Sequence, residues 1–102
     1  MNKITFTKKD IVKRVAKNTQ SSIEHTVPYV EEIFKTLREL MCKNEDYVRI
    51  EVRNFGVFEV KPTKAKPRAR NPRTNEEVFV PAHKKSHFKP GKILKEFLSR
   101  PL

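Results

Sequence analysis

The sequence predicts an α+β fold in which two helices come first, an antiparallel sheet follows, and a short helix ends the chain. Two observations support this prediction. Between residues 11 and 41, apolar side chains recur every three or four positions, the period of an amphipathic helix. From Tyr47 onward, apolar and charged side chains alternate, the period of a half-buried strand. Helices followed by strands are typical of the α+β class.

The length of the chain indicates one domain, spanning residues 1–102. A second independent core would leave each unit with too little apolar surface to bury. Hydrophobic residues make up 36% of the chain and charged residues 34%, so the core is expected to be thin. We therefore expect part of the stability to come from a partner subunit.

The first helix is predicted to follow Thr7, whose hydroxyl can cap it, with Asp10 near its positive end, and to continue to about Asn18. The second helix has seven apolar residues on one face: Ile23, Val27, Val30, Phe34, Leu37, Leu40 and Met41. Pro28 lies inside this pattern and cannot donate a helical hydrogen bond. Two starts therefore stay open, one at Ser21 or Ser22 with a kink, the other near Thr26.

The strand region begins with a hairpin. Val48, Ile50 and Val52 alternate with charged residues, a turn is predicted at 54–56, and residues 57–60 begin the returning strand. A further short strand is predicted at 84–88, ended by Pro90 and Gly91. The terminal helix then presents one apolar face, formed by Ile93, Leu94, Phe97 and Leu98.

Residues 61–80 are predicted to form an extended hairpin that projects from the body. Residues 61–73 hold six basic side chains and no acid, so this segment cannot offset its ordering entropy by burial. The run from Asn71 to Asn75 is a strong turn signal, because Asn tolerates positive φ and Pro72 presets its own φ. Residues 77–80 resume a strand pattern.

The charge of the chain favours a polyanionic partner such as DNA, RNA or an anionic membrane surface. Its formal net charge is +11. Residues 1–60 carry 11 Lys or Arg against 9 Asp or Glu, whereas residues 61–102 carry 12 against 3. The second part of the chain is therefore expected to form most of the binding surface.

Cofactor and enzyme chemistry are not indicated. Cys42 is the only cysteine, and the three histidines share no metal-ligand spacing with it or with each other. The sequence also offers no combination of nucleophile, general base and orienting group that would form a catalytic site. We therefore predict no catalytic residue, no metal and no cofactor. The start of the chain lacks the apolar core of a signal peptide, and no apolar run reaches membrane-spanning length. We expect a soluble cytoplasmic protein.

Several motifs in one order make the chain resemble the bacterial HU and integration host factor family. They are Phe55-Gly56-x-Phe58, the basic segment, Arg70-Asn71-Pro72-x-Thr74, and Phe88-x-Pro90-Gly91-Lys92 before the last helix. The resemblance covers nearly the whole chain. It departs from the family pattern at Asn75, where Gly is usual, and between Val60 and Arg70, which is about one residue longer than in many relatives and contains Pro62 and Pro67.

The resemblance implies an intertwined dimer with a helical base at 1–46, a β saddle at 47–60 and 81–89, a DNA-binding β-arm at 61–80 and a C-terminal helix at 90–102. It implies an architectural, nucleoid-associated protein that binds double-stranded DNA in the minor groove and bends or compacts it with low to moderate sequence specificity. We expect a homodimer, and a heterodimer is also compatible with the sequence. Neither a membrane nor a small-molecule substrate is expected.

At the arm tip the resemblance implies that Pro72 intercalates between base pairs, although turn statistics alone favour an ordinary turn proline. Arg70, Asn71, Arg73 and Thr74 flank it and are expected to contact acceptor edges in the minor groove. Phosphate contacts are expected from Lys61, Lys64, Lys66 and Arg68 in the arm. On the saddle and at the start of the last helix, where backbone amides also attract phosphate, the candidates are Lys84, Lys85, Lys89 and Lys92; the alternative is that they are ordinary surface lysines.

Two further interpretations concern single sites. Glu51 and Arg53 are similar to a pair in the β subunit of integration host factor that assists sequence preference, but a cross-strand ion pair is the slightly favoured interpretation. The phenylalanines at 55, 58, 79 and 88 are expected to pack in the core and dimer interface. The alternative function is a basic protein that packs RNA or single-stranded nucleic acid without bending, using these aromatics for stacking.

Overall fold

The computed structural model describes residues 1–102, apart from the side chain of Pro67. It confirms the α+β class. The elements in chain order are α1 (Lys8–Thr19), α2 (Ile23–Met41), β1 (Val48–Val52), β2 (Gly56–Pro62), β3 (Lys66–Arg70), β4 (Glu77–Val80), β5 (Lys84–Pro90) and α3 (Lys92–Leu98). They fall into two compact units, Met1–Glu39 and Leu40–Leu102.

In the first unit, α1 begins with a reciprocal cap. The Thr7 hydroxyl accepts a hydrogen bond from the Asp10 N–H at 3.4 Å, and the Asp10 carboxylate accepts one from the Thr7 N–H at 2.8 Å. The hydrogen bonds from the Thr7 backbone and hydroxyl lower the pKa of Asp10. The helix ends at Gln20, which has a φ of 55°. The predicted start is confirmed, and α1 continues one residue beyond the predicted end, through Thr19.

The start of α2 is resolved in favour of Ser22. Its hydroxyl accepts a hydrogen bond from the His25 N–H at 3.1 Å, and its carbonyl accepts one from the Thr26 N–H at 3.1 Å. The helix therefore begins at Ile23 and includes Pro28, rather than beginning near Thr26. Thr26 is buried, and its hydroxyl donates to the same Ser22 carbonyl at 2.8 Å.

In the second unit, β1, β2 and β5 form an antiparallel three-stranded sheet with β2 in the centre. Phe58 pairs with Ile50 on one side and with Phe88 on the other. The rings of Phe58 and Phe88 lie 4.9 Å apart between centroids, and the ring of Phe55 lies 5.3 Å from that of Phe88. The three rings therefore contact one another in one cluster, but Phe55 is 48% exposed in the single chain, so its predicted burial is not found there.

The β1–β2 turn requires special backbone geometry. Asn54 has a φ of 67°, which an Asn side chain tolerates better than most. The carbonyl of Phe55 accepts a hydrogen bond from the Gly91 N–H at 2.8 Å, which joins the turn to the end of β5. A Cβ atom on Gly56 would lie 2.5 Å from the Lys89 carbonyl oxygen and 2.7 Å from the Phe88 ring. Close approach of β5 therefore demands glycine at position 56.

Strands β3 and β4 form a separate two-stranded antiparallel sheet, which we call the arm together with its 71–76 turn. The ladder is irregular between Lys66 and Ala69, so the strand bulges within the segment that the resemblance marks as longer than usual. Thr63 and His83 join the arm to the saddle, because the Thr63 N–H donates to the His83 carbonyl at 2.7 Å.

The saddle extends further than the predicted boundaries. Lys61 pairs with Lys85 and Pro62 with Lys84, so the β2–β5 ladder continues two residues past residue 60. Lys61 therefore lies in the three-stranded sheet and not in the arm. Strand β5 likewise extends to Pro90. Proline has no backbone N–H, but Pro90 lies at the end of the ladder, where its lack of a donor does not interrupt the pairing.

The apolar core of a single chain is thin, as expected from its composition. Among the described side chains the buried apolar ones are Val12, Ala16, Val30 and Val60. Phe79 was expected to be buried, but it is 65% exposed in the single chain. The physical reason is that the arm is an isolated two-stranded sheet, and in the described chain no second layer of helix or sheet packs extensively on the face that carries Phe79.

Candidate nucleic-acid interface

The register of the three-stranded sheet collects charged side chains on one face, which we call the polar face. Side chains alternate between the two faces of a strand, and paired residues share a face. The pairing Arg49↔Glu59↔His87 therefore fixes which residues lie together. The polar face consists of Arg49, Glu51, Val57, Glu59, Lys61, Lys85, His87 and Lys89.

Glu59 lies at the centre of this face and is only 1% exposed. Its Oε1 lies 2.7 Å from Lys89 Nζ, and its Oε2 lies 3.7 Å from Lys61 Nζ. The Tyr47 hydroxyl donates a hydrogen bond to Oε2. A buried charge needs such partners, because an unpaired carboxylate would lose its hydration without compensation.

These contacts set the ionisation of the cluster. The hydrogen bonds from Lys89 and then from Tyr47 lower the pKa of Glu59 to about 2, although burial of the carboxylate acts in the opposite direction. The same pairing raises the pKa of Lys89. Glu59 is thus a permanent anion at neutral pH, and it holds two cations beside it on the polar face.

The neighbouring candidates Lys84 and Lys85 lie on opposite faces of β5. Lys85 is exposed on the polar face, opposite Lys61. Lys84 pairs with Pro62 on the other face, and its ammonium donates to the Lys43 carbonyl at 3.4 Å. The sheet therefore joins Lys61, Lys85 and Lys89 in one surface and separates Lys84 from it.

The arm tip is a closed turn that presents Pro72 to solvent. The Asn71 N–H donates to the Glu76 carbonyl at 2.9 Å, and the Asn75 N–H donates to the Asn71 carbonyl at 2.7 Å. The Asn71 side-chain Oδ1 accepts from the Arg73 N–H at 2.9 Å. Asn75 has a φ of 59°, so Asn occupies the left-handed conformation that the family usually gives to Gly. Pro72 itself is exposed.

Arg70 supports this turn from the last residue of β3. Its Nη1 donates to the Asn75 carbonyl at 3.2 Å, and its Nη2 lies 3.8 Å from the Glu77 carboxylate. Arg73 and Thr74 are exposed in the turn. The sequence-predicted residues 70–74 are therefore brought together at one end of the arm.

The remaining candidates are spread over the second unit. Lys64 lies between β2 and β3, Lys66 and Arg68 lie in β3, and Lys92 is the first residue of α3; all four are exposed. Arg53 is exposed in the β1–β2 turn. The expected cross-strand pair is wrong for Glu51, because its carboxylate accepts from Arg49 Nε in the same strand at 2.9 Å.

Sequence reasoning did not assign Arg49, Val57, Glu59 and His87 of the polar face, nor Tyr47, whose hydroxyl donates to Glu59. Alternation along β1 places Tyr47 and Arg49 with Glu51, but membership of the polar face also depends on which residues of β2 and β5 lie opposite. The long-range register is not encoded in the period of any one strand. Within the described residues, no helix is long and apolar enough to cross a membrane.

Comparisons with known proteins agree with this geometry. The model of the family described as "Bacterial DNA-binding protein" matches residues 6–99. The prophage-derived DNA-binding protein HU 2 of Bacillus subtilis is 36% identical over 89 residues, which cover 87% of this chain and 92% of that protein. DNA-binding protein HU of Thermotoga maritima is 34% identical over 91 residues, covering 89% and 97%. The Anabaena HU–DNA cocrystal structure superimposes with a TM-score of 0.79 at 26% identity, covering 94% of this chain and 100% of that one.

Proposed function

Since the chain belongs to the bacterial DNA-binding protein family, in which HU proteins are its relatives, we propose that it is an architectural protein that binds and bends double-stranded DNA. One observation carries the proposal: an exposed proline stands at the tip of a two-stranded arm, between Asn71 and Arg73. A rigid apolar ring can replace part of the stacking lost when a base step opens. Opening a step costs on the order of a few kcal/mol, which contacts along the bent duplex offset.

The side chains beside Pro72 suit the minor groove. The Asn71 Oδ1 accepts a hydrogen bond inside the turn, so its amide NH₂ is the group that we propose donates to base acceptors. Arg73 and Thr74 add donors, and Arg70 stands one residue before the turn. Because the minor groove distinguishes A·T from G·C pairs and little else, we expect low to moderate sequence specificity.

We propose that the cations of the arm and of the polar face contact DNA phosphates. We assign these contacts to Lys61, Lys64, Lys66, Arg68, Lys85, Lys89 and Lys92, with Arg53 at the edge of the saddle. Lys84 is a weaker candidate, because its ammonium is directed to the Lys43 carbonyl. Phosphate contacts contribute affinity that does not depend on sequence.

The proposed form is a homodimer with residues 1–46 at its base. Large apolar side chains of two helices are exposed in one chain: Tyr29 and Ile33 in α2, and Ile93 and Phe97 in α3, the last two at 62%. Surfaces of this kind mark subunit contacts, and two copies of one chain can cover them by two-fold symmetry. The two arms of a dimer would then grip one duplex.

We assign no catalytic step and no small-molecule substrate to this surface. Its partner is duplex DNA, and we infer that the protein works on the nucleoid in the cytoplasm.

A competition assay tests the proposal. A labelled duplex of about 40 base pairs is bound by the full-length protein and displaced by unlabelled duplex or by single-stranded RNA of the same length, from 50 to 200 mM salt. We expect duplex to compete better and affinity to fall by about 10³-fold or more across that range, as for proteins that neutralise six to ten phosphates. A salt-independent affinity, or a preference for the RNA, would overturn it and favour a cationic coat.

A further inference from the structure

We propose that Phe79 is a second apolar DNA contact on each arm, which packs against the deoxyribose wall of the minor groove behind the tip. The inference rests on the proposed DNA binding and adds to it a residue whose contact is not ionic. Phe79 is 65% exposed on a sheet of two strands. An aromatic ring of this size has most of its apolar surface left to bury against a partner.

The position of Phe79 on the arm favours DNA as that partner. Glu77 pairs with Arg70, and Phe79 follows Glu77 by two residues in β4, so the three side chains share one face of the arm. The arm carries four basic residues, Lys66, Arg68, Arg70 and Arg73, against Glu76 and Glu77. Lys66 pairs with Val80 on the other face, but the bulge between Lys66 and Ala69 leaves the exposed Arg68 opposite Phe79. A polyanion is therefore attracted to the surface that carries the ring.

The distance from the tip favours the sugar wall over a base step. Phe79 lies two residues beyond Glu77, where the turn has ended and β4 begins, and a strand rises about 3.3 Å per residue. The ring thus stands roughly 7 Å or more behind the turn that carries Pro72. If Pro72 opens a base step, Phe79 lies over the adjacent groove, whose walls are deoxyribose carbon and hydrogen atoms.

An apolar contact and a phosphate contact have different thermodynamic signatures in DNA binding. Removal of a lysine or arginine that neutralises a phosphate reduces the salt dependence of binding, because fewer counterions are released. Removal of buried apolar surface leaves that slope unchanged and makes the heat-capacity change of binding less negative.

The test compares full-length wild type with Phe79→Ala, Val78→Ala and Arg68→Ala. Val78 is the matched control, because it lies on the opposite face of β4 and is also exposed. Affinity for a fixed duplex is measured at several salt concentrations, and the heat-capacity change by calorimetry at several temperatures. Sedimentation at the same protein concentrations reports the oligomeric state.

We expect Phe79→Ala to bind about tenfold more weakly, with the salt slope of wild type and a less negative heat-capacity change. Val78→Ala should match wild type, and Arg68→Ala should show a smaller slope. Phe79→Leu should keep most of the affinity, because a sugar wall accepts any large apolar side chain. An equal weakening in Phe79→Leu and Phe79→Ala would indicate base stacking and overturn the proposed contact.

Two other outcomes would also overturn it. Wild-type affinity in Phe79→Ala would show that the ring touches no DNA, and a weaker dimer would show that a second copy of the chain covers it. Both outcomes assume that the wild-type protein binds duplex DNA. Failure of wild type to bind would instead remove the proposed function itself, so the two failures are distinguishable.

Discussion

Lys89 Nζ lies 2.7 Å from Glu59 Oε1, so a cation that we assign to DNA phosphates is held by a carboxylate that is almost fully buried. Lys61 approaches the other oxygen of the same carboxylate at 3.7 Å. The anion restricts where both ammonium groups stand on the polar face. It also neutralises part of their charge before any phosphate arrives, which makes Glu59 both a structural and an electrostatic determinant of the surface.

The first prediction concerns acid stability. The pKa of Glu59 is about 2 in the folded chain and is near 4.5 for an ordinary glutamate, so the carboxylate stabilises the fold above pH 4.5. This contribution disappears as the pH falls from 4.5 towards 2. Glu59→Gln should therefore lower the Tm at pH 7 and flatten the dependence of Tm on pH within that window.

Thermal melts followed by circular dichroism between about pH 2 and pH 7, at one protein concentration, measure this effect. Glu51→Gln is the control, because its carboxylate pairs with Arg49 at an exposed site where ion pairs contribute little. Parallel profiles for wild type and Glu59→Gln across the acid window would contradict the prediction.

The second prediction uses two adjacent lysines on opposite faces of β5. Lys85→Ala should reduce the slope of log affinity against log salt by about 0.9 for each phosphate that is no longer neutralised, hence by about 2 for a dimer. Lys84→Ala should leave the slope almost unchanged, because its ammonium lies near the Lys43 carbonyl. Fluorescence anisotropy with one duplex over a salt series measures both, and equal slopes for the two variants would count against the polar face as the binding surface.

The third prediction concerns the close approach at Gly56. An added Cβ would meet the Lys89 carbonyl at 2.5 Å, so Gly56→Ala should cost about 1–3 kcal/mol of stability through displaced backbone. At Gly91 the nearest atom is at 3.1 Å, and the cost of Gly91→Ala should be smaller. Urea denaturation at matched concentration compares the two, and a larger destabilisation at Gly91 would refute this ranking.

The fourth prediction concerns the start of α2. Ser22→Ala removes the hydroxyl that accepts from His25 and should cost about 1 kcal/mol, the usual effect of losing a helix cap. Ser21→Ala should cost less, because the Ser21 hydroxyl donates to the Thr19 carbonyl at the end of α1, at 3.4 Å, and does not cap α2. Denaturation curves of both variants test the assignment, which a greater destabilisation in Ser21→Ala would reverse.

The elements of the fold were predictable because each has a local signature. The period of apolar residues located the two N-terminal helices, and Thr7 with Asp10 marked the start of α1. The alternation at 48–52 gave β1 its bounds. The family resemblance drawn from the phenylalanine, glycine and proline motifs is confirmed by the family match over residues 6–99.

Features that depend on distant residues were not predictable from local patterns. The choice between Ser22 and Thr26 required the hydrogen bonds of the cap, since Pro28 is compatible with either start. Lys84 and Lys85 lie on opposite faces of β5, and the β2–β5 register determines that Lys85 is the one on the polar face. Glu59 is similar: in the sequence it is one acid between two apolar residues, and its partners Tyr47 and Lys89 come from two other strand regions.

The proposed function depends above all on the arm tip opening a base step and bending the duplex. The bend is measured as the end-to-end distance of a short doubly labelled duplex, by energy transfer. Wild type, Pro72→Ala and Pro62→Ala are compared at matched saturation. Pro62 is the control, because it is an exposed proline in β2, away from the tip. We predict a large bend with wild type and Pro62→Ala that relaxes with Pro72→Ala; tight binding without a bend in any of the three proteins would refute the wedge.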